Sequence, residues 1–139
     1  MGGCVKKMKN KKLIIIFIFG LLVGAGIYFG KEYIRLQEYR NTIRAIEIEG
    51  IELSKVVDGV YEGFSDGLLV SAKVWVTVEN HRITDIQLEH HHDRGIAAEV
   101  LVDKVLENQS TKVDIVTGAT SSSKVILKAI ENALAGEAE

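Results

Sequence analysis

Residues 70–88 read V-S-A-K-V-W-V-T-V-E-N-H-R-I-T-D-I-Q-L, and the fold follows from them. Val70, Ala72, Val74, Val76 and Val78 alternate with Ser71, Lys73, Trp75, Thr77 and Glu79. Successive side chains of a strand point to opposite faces, so this pattern predicts a strand with one buried and one wet face. Asn80-His81 reads as a tight hairpin turn, because Asn tolerates the positive φ that such turns need. Residues 83–88 are then the returning strand. Upstream, residues 60–64 form a short strand that ends at the turn Ser65-Asp66-Gly67. Tyr61 and Gly63 mark a position on it where little bulk is allowed. Three strands joined by short turns make an antiparallel meander.

Downstream, residues 94–108, from Arg94 to Asn108, read as a helix with Ile96, Ala97, Val100, Leu101 and Val105 on its apolar face. The chain returns through Ser110-Thr111 into a short extended run over residues 113–116. Residues 122–135 form the last helix. It buries Val125, Ile126, Ala129, Ile130, Ala133 and Leu134 and turns Lys124 and Lys128 the other way. The expected fold class is α+β: an antiparallel β-meander packed with two helices.

Before the last helix lies D-I-V-T-G-A-T-S-S-S, residues 114–123. An apolar, β-branched run ends at Gly118, and three serines follow Thr120. Hydroxyl groups there can cap the helix, accepting from backbone N–H groups that have no partner in its first turn. The same N–H groups and the helix dipole attract a phosphate. Small residues at Gly118 and Ala119 let a bulky group lie close to the backbone. Spacing leaves both readings open, a cap and a holder of a phosphorylated ligand.

D-x-x-[ST]-G-A-T resembles the flavinylation motif of the FMN-binding domain family, which includes subunits of membrane ion-pumping redox complexes and small membrane-anchored flavoproteins. The resemblance extends to D-G-V-Y-E-G at residues 58–63, V-T-V-E-N-H-R-I-T-D-I at 76–86 and S-K-V-I-L-K-A-I-E-N-A-L at 123–134. It implies FMN as cofactor, joined to Thr120 through a phosphoester by an FAD:protein FMN transferase. It further implies that Thr117, Gly118 and Ala119 border the cofactor and that Asp114 serves recognition by the transferase. Ser123 sits where the family repeats a Ser or Thr, and is the expected supporting contact beyond Thr120.

At 139 residues the chain suffices for one small domain plus an appendage. No charged residue occurs from Leu13 to Gly30. As a helix this run is on the order of 27 Å long, against a bilayer core of about 30 Å. Lys6, Lys7, Lys9, Lys11 and Lys12 precede it. The expected organisation is a basic cytoplasmic segment (1–12), a transmembrane anchor (13–30), a juxtamembrane stalk (31–55) and the FMN-binding domain (56–139). An uncleaved anchor is favoured over a signal peptide because the apolar run is longer than an ordinary signal core. The positive-inside rule then leaves the C-terminal domain outside the cytoplasm, the chain touching membrane lipid through one helix. After residue 30 there are 12 basic and 19 acidic residues, a net charge of −7. That balance disfavours nucleic acid, whose phosphates need positive charge. The only cysteine, Cys4, excludes a disulfide within the chain and precedes the apolar run, unlike a lipoprotein cysteine. Met-Gly-Gly-Cys lacks the Ser or Thr that myristoylation expects at position 6.

His90, His91 and His92 invite a metal reading. In a strand only His90 and His92 share a face, and no Cys or H-x-x-x-H spacing accompanies them, so no metal is expected and an exposed strand end is favoured. A flavin-side contact is the other reading of these histidines. Trp75, on the polar strand face, is expected to pack under a helix. No nucleophile–base pair, paired carboxylates or Walker-type phosphate loop appears in the sequence. The chain therefore reads as an extracytoplasmic, membrane-anchored flavoprotein that relays electrons, rather than a stand-alone enzyme. Its expected partners are the transferase and a membrane electron donor or redox complex. Two alternatives remain: a non-catalytic anchored binding or sensing module, and a reductase that binds FMN noncovalently.

Overall fold

The computed structural model describes residues 3–92 and 95–136, with side chains from residue 10 onward. Met1, Gly2 and the expected helix start at Arg94 lie outside the described residues. The chain divides into two units, one ending at Glu38 and one beginning at Tyr39.

The first unit consists of most of helix α1, Gly3–Ala45. Its Asn10–Ala45 portion is long and apolar enough to cross a membrane, with a mean hydropathy of 2.5 over the most apolar window, none of which is buried. Leu13, Ile16, Phe17 and Phe19 are all exposed, Phe17 by 71%. A helix that is apolar on every side is suited to a lipid surround rather than to water.

In the second unit, β1 (Gly59–Asp66), β2 (Ser71–Glu79) and β3 (Arg82–His91) form an antiparallel sheet in that order. Tyr61 faces Val76 across the first pair, and Val76 faces Ile86 across the second. Asn80 and His81 both take positive φ, 53° and 57°. That is the twist a two-residue hairpin turn needs to match its strands. The backbone N–H groups of Asn80 and His81 hold the Asp58 carboxyl below its ordinary range. A register shift at Thr77/Val78 places Val78 opposite Ile83. There the free edge of β3 is covered by a side chain. Gln109 accepts from the Ile83 N–H at 2.8 Å and donates to the Ile83 carbonyl at 2.8 Å, as a neighbouring strand would.

Ala72, Val74, Val76 and Val78 are the buried face of β2. Helix α3 (Thr120–Ala135) crosses this face over β1 and β2, and α2 (Leu101–Asn108) lies against β3. Gly63 permits the close approach of α3: a Cβ there would overlap the Ala129 carbonyl oxygen and come within 2.6 Å of the Ala133 nitrogen. Trp75 lies on the opposite, solvent side. Its indole N–H donates to Glu62 at 3.1 Å and Lys73 sits 4.9 Å over its ring. The expectation that a helix covers it is overturned, because both helices pack on the other face.

The folded unit begins upstream of the Val56 boundary expected from composition. Ile43, in the last turns of α1, is 7% exposed, and Ile46, Ile48 and Ile51 pack against the same core. Lys124 is not a solvated charge. Its ammonium donates to the Ile43 and Ile46 carbonyls at 3.1 and 2.9 Å, satisfying groups that the end of α1 leaves unpaired. Glu131, 4% exposed, accepts from the N–H of Gly50 (2.7 Å), the hydroxyl of Thr111 (2.9 Å) and the ammonium of Lys128 (3.3 Å). Gly50 makes this possible at φ +87°, where a side chain would be strained.

Two expected elements differ. The segment before α2 is a 3-10 helix, Ile96–Val100, so buried positions there follow a spacing of three, Gly95, Ala98 and Leu101, and Val105 follows one α-helical turn on in α2. Ile96, at 69% exposure, and Val100, at 46%, fall outside that face. Residues 113–116 are not a strand. Their backbone donors are used locally: Val113 N–H bonds to the Thr111 carbonyl and Val116 N–H to the Ser123 hydroxyl.

Candidate functional site

Helix α3 opens at Thr120, and the residue before it is Ala119, which has no side chain that can cap. The hydroxyls of Thr120, Ser121, Ser122 and Ser123 therefore stand inside the first turn, and none caps the helix. The sequence reading of these residues as caps is corrected on that ground. First-turn N–H groups are left without a side-chain acceptor at the positive end of a 16-residue helix.

The loop that leads into α3 is shaped by backbone geometry. The Ala119 N–H donates to the Val116 carbonyl at 3.0 Å, and Gly118 between them has φ +83°. A turn with that φ at its third residue favours glycine. Nothing lies within 4 Å of where a Gly118 Cβ would stand, so conformation and not crowding requires glycine.

Ser123 is fully buried. Its Oγ accepts from the Val116 N–H at 3.0 Å and donates to the Ala119 carbonyl at 2.8 Å. It thus ties the two ends of the Gly118 turn to α3. Both hydrogen-bonding functions of the hydroxyl are used inward and Ser123 does not line the cleft, so what it supports is the turn that precedes Thr120.

A cleft of about 690 Å³ opens over the start of α3. One side is Gly118, Ala119, Thr120, Ser121 and Ser122; facing them are Tyr39, Leu69, Val70 and Gly95. Thr120 is exposed within it. Asp114 and Thr117 lie exposed on the approaching loop, outside the lining. The volume is that of a small-molecule site, and it joins an apolar wall to an uncapped helix start. A phosphorylated ligand with a flat apolar ring system fits this combination: phosphate toward the first-turn N–H groups, ring toward Leu69, Val70 and Tyr39.

The apolar wall was not legible from the motif. Leu69 is presented by a turn in which the Gly67 N–H bonds to the Val70 carbonyl at 2.8 Å and the Leu68 N–H to the Asp66 carboxylate at 2.7 Å. Leu68 is held there at φ 74°, uncommon for a bulky residue. The sequence signal was S-D-G-L-L, a turn followed by two leucines that remain 52% and 42% exposed. Gly95 has no room for a side chain. A Cβ there would overlap the Ser122 hydroxyl and stand 3.2 Å from His90 Cε1.

Behind this wall the end of β3 differs from the exposed strand end expected of the histidines. β3 runs on to His91, so alternation turns His90 to the helix side, where its side chain is 1% exposed. Burial pushes the His90 imidazole below its ordinary pKa, with the Glu99 carboxylate opposing the shift. His92 shares that face, its ring centroid 4.4 Å from that of His90, while His91 is exposed. Glu99, from the 3-10 helix, reaches both rings.

Residues 67–135 match the FMN-binding domain family. The chain is also 33% identical over 85 residues to a protein of Treponema pallidum (strain Nichols) described as uncharacterized. That match covers 58% of this chain and 24% of the relative, so the chain spans about a quarter of its relative's length. The family match takes in the β2–β3 hairpin, the Gly118 turn, the cleft-lining start of α3 and the helix itself, and by it this chain belongs to the FMN-binding domain family, with FMN as its cofactor.

Proposed function

We propose that FMN is joined covalently to Thr120 and that the protein is an electron-transfer relay, held by α1 on the outer side of the cytoplasmic membrane. The single observation behind this is the placement of Thr120: an exposed hydroxyl on the first residue of an uncapped helix, inside the cleft, at the last position of D-I-V-T-G-A-T. In the attachment step, Thr120 Oγ forms a bond to the FMN-side phosphorus of FAD. The phosphoanhydride bond breaks, AMP departs with the electron pair, and the hydroxyl proton is lost. This step requires an FAD:protein FMN transferase as partner, and the exposed Asp114 is available for its recognition. The free N–H groups of the first turn favour the negative charge of the resulting phosphodiester. Leu69 and Val70, which line the cleft, would keep water from one side of a ring held there.

FMN, when bound, supplies exchange of one or two electrons. The protein holds it in an open cleft, which suits transfer to a partner at the surface. A donor embedded in or docked to the membrane, such as a quinone-linked or multi-subunit redox complex, matches an anchored carrier. The five lysines before the apolar run support an N-terminus in the cytoplasm. A covalent bond keeps the cofactor from diffusing away outside it.

The test is in-gel flavin fluorescence after co-expression with an active transferase and full denaturation. We expect a fluorescent band from the native chain, its loss in Thr120→Val, and its removal when intact cells stripped of their outer layers are treated with trypsin. Flavin that leaves on denaturation would show noncovalent binding. No flavin at all, with the transferase working on another substrate, would leave an anchored binding module. A fluorescent band fully protected from trypsin would reverse the orientation.

A further inference from the structure

The cluster behind the cleft is held by long contacts, one a stretched hydrogen bond and one too long to be a hydrogen bond. His90 Nδ1 stands 3.4 Å from Glu99 Oε1, and His92 Nε2 stands 3.6 Å from the same oxygen. Good N–H···O bonds lie at about 2.7–3.2 Å. Around a tetrahedral zinc-type ion, with bonds of about 2.0–2.2 Å, neighbouring ligand atoms stand roughly 3.4 Å apart. The donor atoms of His90, His92 and Glu99 all lie within 4.8 Å of one another. The second observation is independent of these distances. The His90 ring is 1% exposed, and its Nε2 has no hydrogen-bond partner among the described residues. A buried polar group is costly to leave unpaired: ligation through Nε2 would give that atom a partner, whereas ligation through Nδ1 would use the atom that already faces Glu99, and in both cases the ring binds as neutral imidazole.

We propose that His90, His92 and Glu99 form a three-ligand site for a divalent transition metal of the zinc type, with a fourth position open to water. Two imidazoles and one carboxylate are a donor set that suits zinc and its first-row neighbours. His-x-His at the end of β3 places both rings on one face of the strand, and the following 3-10 helix returns the carboxylate to them. Glu99, 43% exposed, keeps one side open for entry and for the fourth ligand. Binding has a local consequence. His92 Nδ1 now accepts from the Gly95 N–H at 2.9 Å, which leaves the ring proton on Nε2. Ligation through Nε2 moves that proton to Nδ1, and ligation through Nδ1 occupies it. Either way Gly95, part of the cleft wall, loses its acceptor, so the metal and the shape of the cleft are coupled.

The experiment uses the full chain in detergent, without an affinity tag and without flavin, titrated with Zn²⁺ in competition with a chromophoric chelator. Co²⁺ then serves as an optical probe. We expect one Zn²⁺ per chain and Co²⁺ visible bands of the intensity typical of four-coordinate ions. Affinity should fall at least tenfold in His90→Ala and in Glu99→Gln, and stay within about threefold of the native value in His91→Ala, whose ring faces away. Glu99→Gln is an exposed, isosteric change that leaves the fold intact should His90→Ala not. Absence of stoichiometric binding, or equal losses in His91→Ala and Glu99→Gln, would mean an ordinary surface histidine run and overturn the site.

Discussion

Single side chains here do work that their type does not announce. Ser123 belongs to a run of hydroxyls, and any member could have faced the ligand. It is instead the one that is fully buried and bonded to both ends of the Gly118 turn. Ser123→Ala leaves the Val116 N–H without its acceptor, which costs roughly 1–3 kcal/mol. We expect a lower urea midpoint and slower flavin attachment, both measured on the same preparation. Unchanged stability with lost flavin would return Ser123 to the role of a direct cofactor contact. Glu131 is a similar case. Nothing in K-A-I-E-N-A-L, residues 128–134, marks it as buried, because its partners Gly50 and Thr111 are far away in sequence.

Elements were legible wherever one periodicity ruled. The alternation of β2, the Asn80-His81 turn and the apolar face of α3 all reflect local patterns that tertiary packing reinforces. The segment before α2 misled because a 3-10 turn changes the spacing of buried positions from that of an α-helix, so Ile96 and Val100 look internal and are not. Residues 113–116 misled because β-branched residues suit a strand only if a sheet edge is free to receive them. Gln109 already occupies the edge of β3 at Ile83. Of the site, the motif loop was readable and the opposing wall was not, since Tyr39, Leu69 and Gly95 come from three other parts of the chain. Gly63 links sheet and site at this scale. In Gly63→Ala the added methyl meets backbone atoms of α3 and not a yielding side chain, so the helix must shift. We expect about 3 kcal/mol of destabilisation, near the top of the overpacking range, and read it by thermal and denaturant unfolding. A change below about 0.5 kcal/mol would mean that α3 is not seated on β1 as described.

On the scale of the whole chain, the folded unit recruits the end of α1. Ile43 is part of its core, and Lys124 and Glu131 take backbone partners from residues 43–50. A chain that begins at Tyr39 should therefore fold alone in aqueous buffer. One that begins at Val56 loses the Ile43 burial, the Gly50 bond to Glu131 and both carbonyl partners of Lys124, a loss of at least about 3 kcal/mol. Paired urea titrations of the two truncations measure the difference, and equal midpoints would show that residues 39–55 only space the domain from the bilayer.

The oxygen of Thr120 stands at the surface of a finished fold rather than inside it. Loading with cofactor is therefore free to happen late. With the proposed Thr120 linkage and outward orientation, bare protein would be exported, assembled in its membrane and stored, and then charged when riboflavin becomes plentiful. Supply of the vitamin, and not synthesis of new chain, would then set how many working carriers a cell holds.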